Sequence, residues 1–235
     1  MSRKDDLRRQ RLGTVINLTA GKQESELGRA LKDVEQRIQA SFDVLLRHEK
    51  SWRLSNVIGR LESEFPEVPF GTPLATSAMK PDGGVLSIVD SRGLPHPILI
   101  SEVKNQGTND KRATEGLPKQ SKGNAIERLG KNVIGFRTAM LAEGIMPFIC
   151  FGYGCDFEDG SSILDRVLTI AMFGNLNELV VLNQGESGLF NRGSFFFREA
   201  PWTEAEMADR MYEVAERSIY YYFAKLGPDV FAPQA

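Results

Sequence analysis

Two short segments carry residue types that can do chemistry together. One is Lys80-Pro81-Asp82-Gly83-Gly84 and the other is Glu102-Val103-Lys104. Val85 to Val89 and Ile98 to Val103 between them are β-branched-rich runs that read as strands, and Asp90-Ser91-Arg92-Gly93-Leu94-Pro95 reads as the turn of a hairpin. With that turn centred on Gly93, cross-strand partners sum to about 186. Asp82 then faces Lys104, and Gly84 faces Glu102. Alternation along a strand puts Glu102 and Lys104 on one face, and in this register Asp82 joins them; a slip of one residue would break the pairing. Two carboxylates are hard oxygen ligands suited to Mg²⁺, which keeps several waters and favours phosphate substrates. Such a metal stabilises charge on a phosphodiester and acidifies a bound water. Lys104 is the candidate to neutralise the developing phosphate charge or to orient the water. The expected chemistry is metal-assisted phosphodiester hydrolysis. A plainer reading also fits: the Pro-Asp-Gly-Gly run is a strong turn sequence, and Glu-x-Lys is common on solvated strand faces.

A second constellation is Gly123-Asn124-Ala125-Ile126-Glu127-Arg128. Asn124 followed by Glu127 three residues later is a capping-box pattern at a helix start. That explains both residues without a ligand, but not Gly123 or Arg128. Asn can also bond bidentately to adenine, and Arg can read purine N7 in the major groove. Phosphate is favoured near a helix N-terminus.

The elements that must position these residues follow from periodicity. Leu27, Leu31, Val34, Ile38, Phe42 and Leu45 recur at helical spacing and predict a helix over 23–50. A second helix is predicted over 52–64. The polar stretch 105–122 is predicted to be a long loop, a type that is usually functional or disordered. Helices are predicted over 124–143, with Ile126, Leu129, Val133, Phe136, Met140 and Leu141 inward, over 162–173, and over 203–225, the last opened by Thr203 with Glu206. Further strands are predicted at 148–151, 179–182 and 194–197. The order is α-α-β-β-loop-α-β-α-β-β-α, one α/β domain over 1–235 with a central mixed sheet flanked by helices. Residues 2–12 hold Arg3, Lys4, Arg8, Arg9 and Arg11 and read as a basic arm.

Composition narrows the function classes. The chain has 235 residues, 41% hydrophobic and 26% charged, which excludes fibrous and wholly disordered classes. Cys150 and Cys155 are too few for a disulfide framework, and two histidines, His48 and His96, exclude a His-rich metal site. No run approaches the roughly 20 apolar residues of a membrane helix, and the N-terminus lacks a secretory pattern, so a cytoplasmic chain is expected. The net charge of −2 hides an asymmetry: residues 1–137 carry 23 basic and 17 acidic side chains, and residues 138–235 carry 6 and 14. One half could face a polyanion.

In the same order along the chain, Lys80-Pro81-Asp82-Gly83-Gly84, Glu102-Val103-Lys104 followed by Gln106-Gly107, and Gly123-Asn124-Ala125-Ile126-Glu127-Arg128 with Lys131-Asn132 resemble the EcoRI-like type II restriction endonucleases of the PD-(D/E)XK nuclease superfamily. Ser162-Ile163-Leu164-Asp165-Arg166 and Leu226-Gly227-Pro228-Asp229-Val230-Phe231 extend the similarity over most of residues 75–232. The resemblance implies a restriction-endonuclease-like fold, a homodimer, and Mg²⁺-dependent cleavage of both strands of duplex DNA at a short palindrome containing AATT. It implies metal ligation by Asp82, Glu102 and the Val103 carbonyl, with Lys104 as the catalytic lysine. It also implies DNA contacts by Lys80, Lys122, Gly123, Asn124, Ala125, Arg128 and Arg166, with Glu127 organising Arg128 and the dimer contact. A companion DNA methyltransferase is implied as well. The alternatives are a sequence-tolerant repair nuclease on the same core and a DNA-binding protein that does not cut.

Deleting residues 2–12 is expected to flatten the salt dependence of DNA binding, read as the slope of log affinity against log salt. An unchanged slope would mean that the arm does not touch phosphate.

Overall fold

The structure is a computed structural model and describes residues 16–105, 107–118, 124–172 and 176–232. Residues 2–12 lie outside them. Helix α1 (Ile16–Ser41) leads into strand β1 (Leu45–Glu49), a short strand β2 (Trp52–Arg53) and helix α2 (Leu54–Glu64). Strands β3 (Ala78–Met79), β4 (Gly84–Val89) and β5 (Pro95–Asn105) follow, then helices α3 (Gly107–Thr114) and α4 (Asn124–Ala139). Strand β6 (Phe148–Tyr153), helix α5 (Ser162–Ile170), strand β7 (Ser194–Arg198) and helix α6 (Glu204–Leu226) complete the order. Five strands form one sheet in the order β1-β4-β5-β6-β7, and β2 pairs with β3 separately. The β1/β4 and β4/β5 pairs are antiparallel and β5/β6 and β6/β7 are parallel, so the sheet is mixed, as expected.

Helices cover both faces of the sheet. On one, Phe136 of α4 stacks on Phe148, which in turn meets Phe195, and Trp52 closes the row. On the other, Phe151 and Phe196 meet Trp202, just ahead of α6, and α6 packs along α1 and over β5. A sheet covered on both sides should read as continuous apolar runs, and all six residues of β4 are buried. Helix α6 starts as predicted: Thr203 and Glu206 form a reciprocal capping box.

Several expectations are corrected. The helix predicted over 23–50 stops at Ser41, and 45–49 is the edge strand β1. Leu45 had extended the helical spacing by coincidence; it is 58% exposed. Residues 105–122 are not all loop, because Gly107–Thr114 forms α3. This helix has no apolar stripe for a pattern to detect. It docks through polar groups: buried Asn109 donates to Asp156 at 2.7 Å, and Asp110 accepts the Cys155 amide at 2.7 Å. The strand predicted at 179–182 is reduced to an isolated bridge between Leu182 and Ile145. Helix α5 ends at Ile170, short of the predicted 173. Leu141 lies beyond the end of α4 and is 54% exposed, not inward.

The β4/β5 register also differs. Next to the turn Val89 faces Pro95 and Ser87 faces Pro97, two residues out of the expected pairing, and a bulge between Leu86 and Ser87 recovers only one, so that Leu86 faces Leu99 and Gly84 faces Ser101. Gly84 therefore does not face Glu102. Asp82 lies before the ladder begins, in a turn closed by the Gly84 amide on the Pro81 carbonyl at 3.0 Å. The Gly83 amide bonds the Ser101 carbonyl at 2.9 Å, folding the turn over β5. A Cβ on Gly83 would sit 2.0 Å from Ser101 Oγ and 3.1 Å from Leu27 Cδ2. Gly84 has φ +78°, and a Cβ there would sit 2.6 Å from the Glu49 carbonyl oxygen.

Gly83→Ala is expected to cost about 1–3 kcal/mol of stability in denaturant unfolding, the usual range for overpacking. Adding Ser101→Ala should recover part of the loss, and no recovery would place the strain elsewhere.

Candidate active site

Strand β5 delivers Glu102 and Lys104 on the face covered by α4, and the turn before β4 delivers Asp82 from the side. Lys104 Nζ lies 2.6 Å from Glu102 Oε1 and 2.9 Å from Asp82 Oδ2. The Val103 amide donates to the same Asp82 oxygen at 3.2 Å. The three side chains expected to converge do so, although by a route other than the one predicted. Asp82 reaches Lys104 through the folded turn rather than as its ladder partner. Exposure is graded across the group: the Glu102 side chain is 1% exposed, Lys104 14% and Asp82 23%, so the group opens to solvent on the Asp82 side.

Burial raises the carboxyl of Glu102 above the usual range, and the neighbouring Lys104 ammonium offsets this only in part. Burial by itself would weaken the charge on Lys104, but Glu102 and Asp82 outweigh it and hold the ammonium firmly protonated. The lysine thus stands as a fixed cation between two carboxylates. Beneath it, Cys150 pairs with Glu102 across β5 and β6, and its thiol is pushed up by complete burial. It is a closed core residue.

Asn132, part of the motif similarity without an implied role, belongs here. Asn132 of α4 donates through Nδ2 to both Glu102 oxygens, at 3.0 Å each. The spacing gives the clue: Asn132 falls on the α4 side that carries buried Leu129 and Phe136 rather than on the exposed side. A polar residue at such a position needs a buried partner.

The expected DNA-contacting residues are distributed as follows. Lys80 is exposed at the mouth of the Asp82 turn. Glu127 and Arg128 are exposed on the first turns of α4. Arg166 is exposed on α5, which meets α4 where Gly130 approaches Ile170. Lys122 and Gly123 lie outside the described residues. For Asn124 and Ala125 the description extends to the backbone, which starts α4.

Comparison with known proteins adds an independent line. The family described as "Restriction endonuclease EcoRI" matches residues 11–166. The chain belongs to the EcoRI family of restriction endonucleases. The type II restriction enzyme RsrI of Cereibacter sphaeroides is 28% identical over 193 residues, covering 68% of this chain and 70% of that protein. The type II restriction enzyme EcoRI of Escherichia coli is 24% identical over 243 residues, covering 87% of this chain and 86% of that one. As a member of the EcoRI family, the chain is a type II restriction endonuclease: a site-specific nuclease acting on double-stranded DNA. The mixed sheet flanked by helices is consistent with the fold of this family. Among the described residues, no helix is long and apolar enough to cross a membrane.

Asn132→Leu is expected to move the acid limb of the cleavage pH profile upward. The Asn132 hydrogen bond favours ionised Glu102, so its loss raises the pH needed to deprotonate that carboxyl. A hydrogen bond worth about 1 kcal/mol corresponds to a shift of somewhat under one pH unit. An unmoved limb would show that Asn132 does not act on Glu102.

Proposed function

We propose that this endonuclease hydrolyses both strands of duplex DNA in a Mg²⁺-dependent reaction, at a short palindrome containing AATT, as a homodimer. The observation that carries the catalytic part is the meeting of Asp82, Glu102 and Lys104 within 3 Å contacts at the solvent-facing mouth of β5. The donor set suits a hard divalent cation. Among the described residues, no group of three or more His, Cys, Asp or Glu could hold a metal. A cation here would therefore take two carboxylates, the Val103 carbonyl and water, a pattern that fits Mg²⁺ better than zinc. Bound there, Mg²⁺ would stabilise charge on the scissile phosphodiester and acidify a water.

The chain's own residues supply the rest of the chemistry. Asp82 and Glu102 would hold the cation. Lys104 keeps its proton and faces the negative charge that develops on the phosphate. Asn132 fixes the orientation of Glu102. Lys80 and Lys122 attract the DNA backbone, as phosphate contacts do without reading sequence. Gly123, Asn124, Ala125 and Arg128 approach the base edges at the start of α4, where Asn suits adenine and Arg suits purine N7. Arg166 supports the recognition surface from α5, and Glu127 orders Arg128 and the dimer contact. A two-fold protein matches a palindromic target because each subunit reads one half-site. A cytoplasmic enzyme of this activity requires a companion DNA methyltransferase to protect the host genome.

Cleavage of a sequenced plasmid in Mg²⁺, with the fragment ends mapped, tests this directly. Ends clustered at one AATT-containing palindrome are expected, with loss of cleavage in Asp82→Ala and in Glu102→Ala. Ends at a palindrome without AATT would overturn the target reading alone. Random ends that vanish in the variants would favour a sequence-tolerant nuclease, and a gel shift without cleavage would favour a binding protein. Full activity in either variant would remove that residue from the metal site.

A further inference from the structure

The turn that carries Asp82 is held from two sides, and only one side belongs to the catalytic strand. On the β5 side, the Gly83 amide bonds the Ser101 carbonyl at 2.9 Å. On the opposite side stands the edge strand β1. His48 Nε2 lies 2.9 Å from the Gly83 carbonyl oxygen. A carbonyl only accepts, so Nε2 carries the hydrogen and donates. The other ring nitrogen, Nδ1, lies 3.3 Å from Glu35 Oε1 on α1; a carboxylate also only accepts, so this contact holds the ring when Nδ1 carries a hydrogen as well. The same side of the ring closes on Gly84, where a Cβ would be 2.7 Å from Nε2 and 3.2 Å from Cδ2. The imidazole therefore touches both glycines next to Asp82 while staying off the carboxylate itself.

We propose that His48 is a positioning residue of the cleavage site: its Nε2–H donates to the Gly83 carbonyl, and Glu35 holds the ring so that the turn presents Asp82 at a fixed place beside Lys104 and Glu102. The geometry asks for this contact. Asp82 is the most exposed of the three groups, and the other two sit on a central strand with neighbours on both sides. Asp82 sits on a turn outside the ladder, so its position depends on what clamps the turn. Ser101 supplies a backbone contact from β5. His48 supplies the side-chain contact, and its backbone is itself fixed by pairing with Leu86 of β4. The chain Glu35, His48, Gly83 thus ties α1 and β1 to the metal-binding turn. An edge strand with exposed Leu45 and Arg47 otherwise has no evident part in cleavage.

The inference rests on the reading of Asp82 as a metal ligand, and two readouts separate the claims. The first is amide hydrogen exchange at Gly83 and Gly84 in the metal-free, DNA-free chain. The second is the Mg²⁺ concentration for half-maximal plasmid cleavage. His48→Leu is expected to speed exchange at both amides and to raise the half-saturating Mg²⁺, each about fivefold, the scale of one lost hydrogen bond. His48→Gln, which restores an N–H donor, should return both toward the parent. Glu35→Ala frees the ring without removing the donor, and should produce the same two shifts at smaller size even if the leucine variant fails to fold. Unchanged exchange at Gly83 and Gly84 would overturn the proposal. So would a loss of thermal stability with a parental Mg²⁺ response, because that is how an ordinary edge-strand residue behaves. Persistent cleavage by Asp82→Ala would sink the metal-ligand reading instead, and exchange at the two glycines would still report whether His48 holds the turn.

Discussion

A carboxylate that has lost almost all contact with water must be compensated by its neighbours, or it takes up a proton. Glu102 is such a group, and much of the architecture answers to it. Lys104 lies two residues along the same strand, and the pleat brings it to the same side. Asn132 requires α4 to cross the sheet at the height of Glu102. Lys104 in turn draws in Asp82, which requires a turn compact enough to fold over β5. The price of this arrangement is a pair of glycines that no other residue can replace without a clash.

The compensation is incomplete by design of the geometry. Lys104 is charge-balanced by two carboxylates, while Glu102 remains raised by its burial. The cluster holds one cationic group against two acidic ones, and its open side faces solvent at Asp82. An additional positive charge arriving from that side meets unspent negative potential. The same cluster stands close to α4, whose first turns carry exposed Arg128. Through Asn132 one helix serves both regions, and a displacement of its axis would be felt at Glu102.

Much of this was legible in the amino-acid sequence. Alternation predicts that Glu102 and Lys104 share a face, and the turn chemistry of Pro81 to Gly84 predicts a tight reversal near them. The hairpin arithmetic brought Asp82 to the right neighbours by the wrong path, because the strands pair two residues out of the assumed register at the turn and the bulge at Leu86 and Ser87, which no distinctive residue type marks, restores only one. The helix α3 was hidden for a related reason. Periodicity detects apolar stripes, and α3 is anchored by Asn109 and Asp110 instead. The extension of the first helix to residue 50 failed at Leu45, whose spacing continued the pattern although its side chain points to solvent. The roles of His48 and Asn132 depend on tertiary contacts between distant segments, which one sequence does not display. The family resemblance drawn from the motifs agrees with the match over residues 11–166.

The polar anchoring of α3 has a thermodynamic consequence. Cooperative unfolding draws its heat-capacity change and denaturant sensitivity mainly from newly wetted hydrocarbon. Helix α3, Gly107–Thr114, holds no residue larger than alanine among its apolar members. Detaching it would free the Asn109 amide and the Asp110 carboxylate, groups that water solvates readily. The segment following β5 is therefore expected to add little to the heat-capacity change of unfolding.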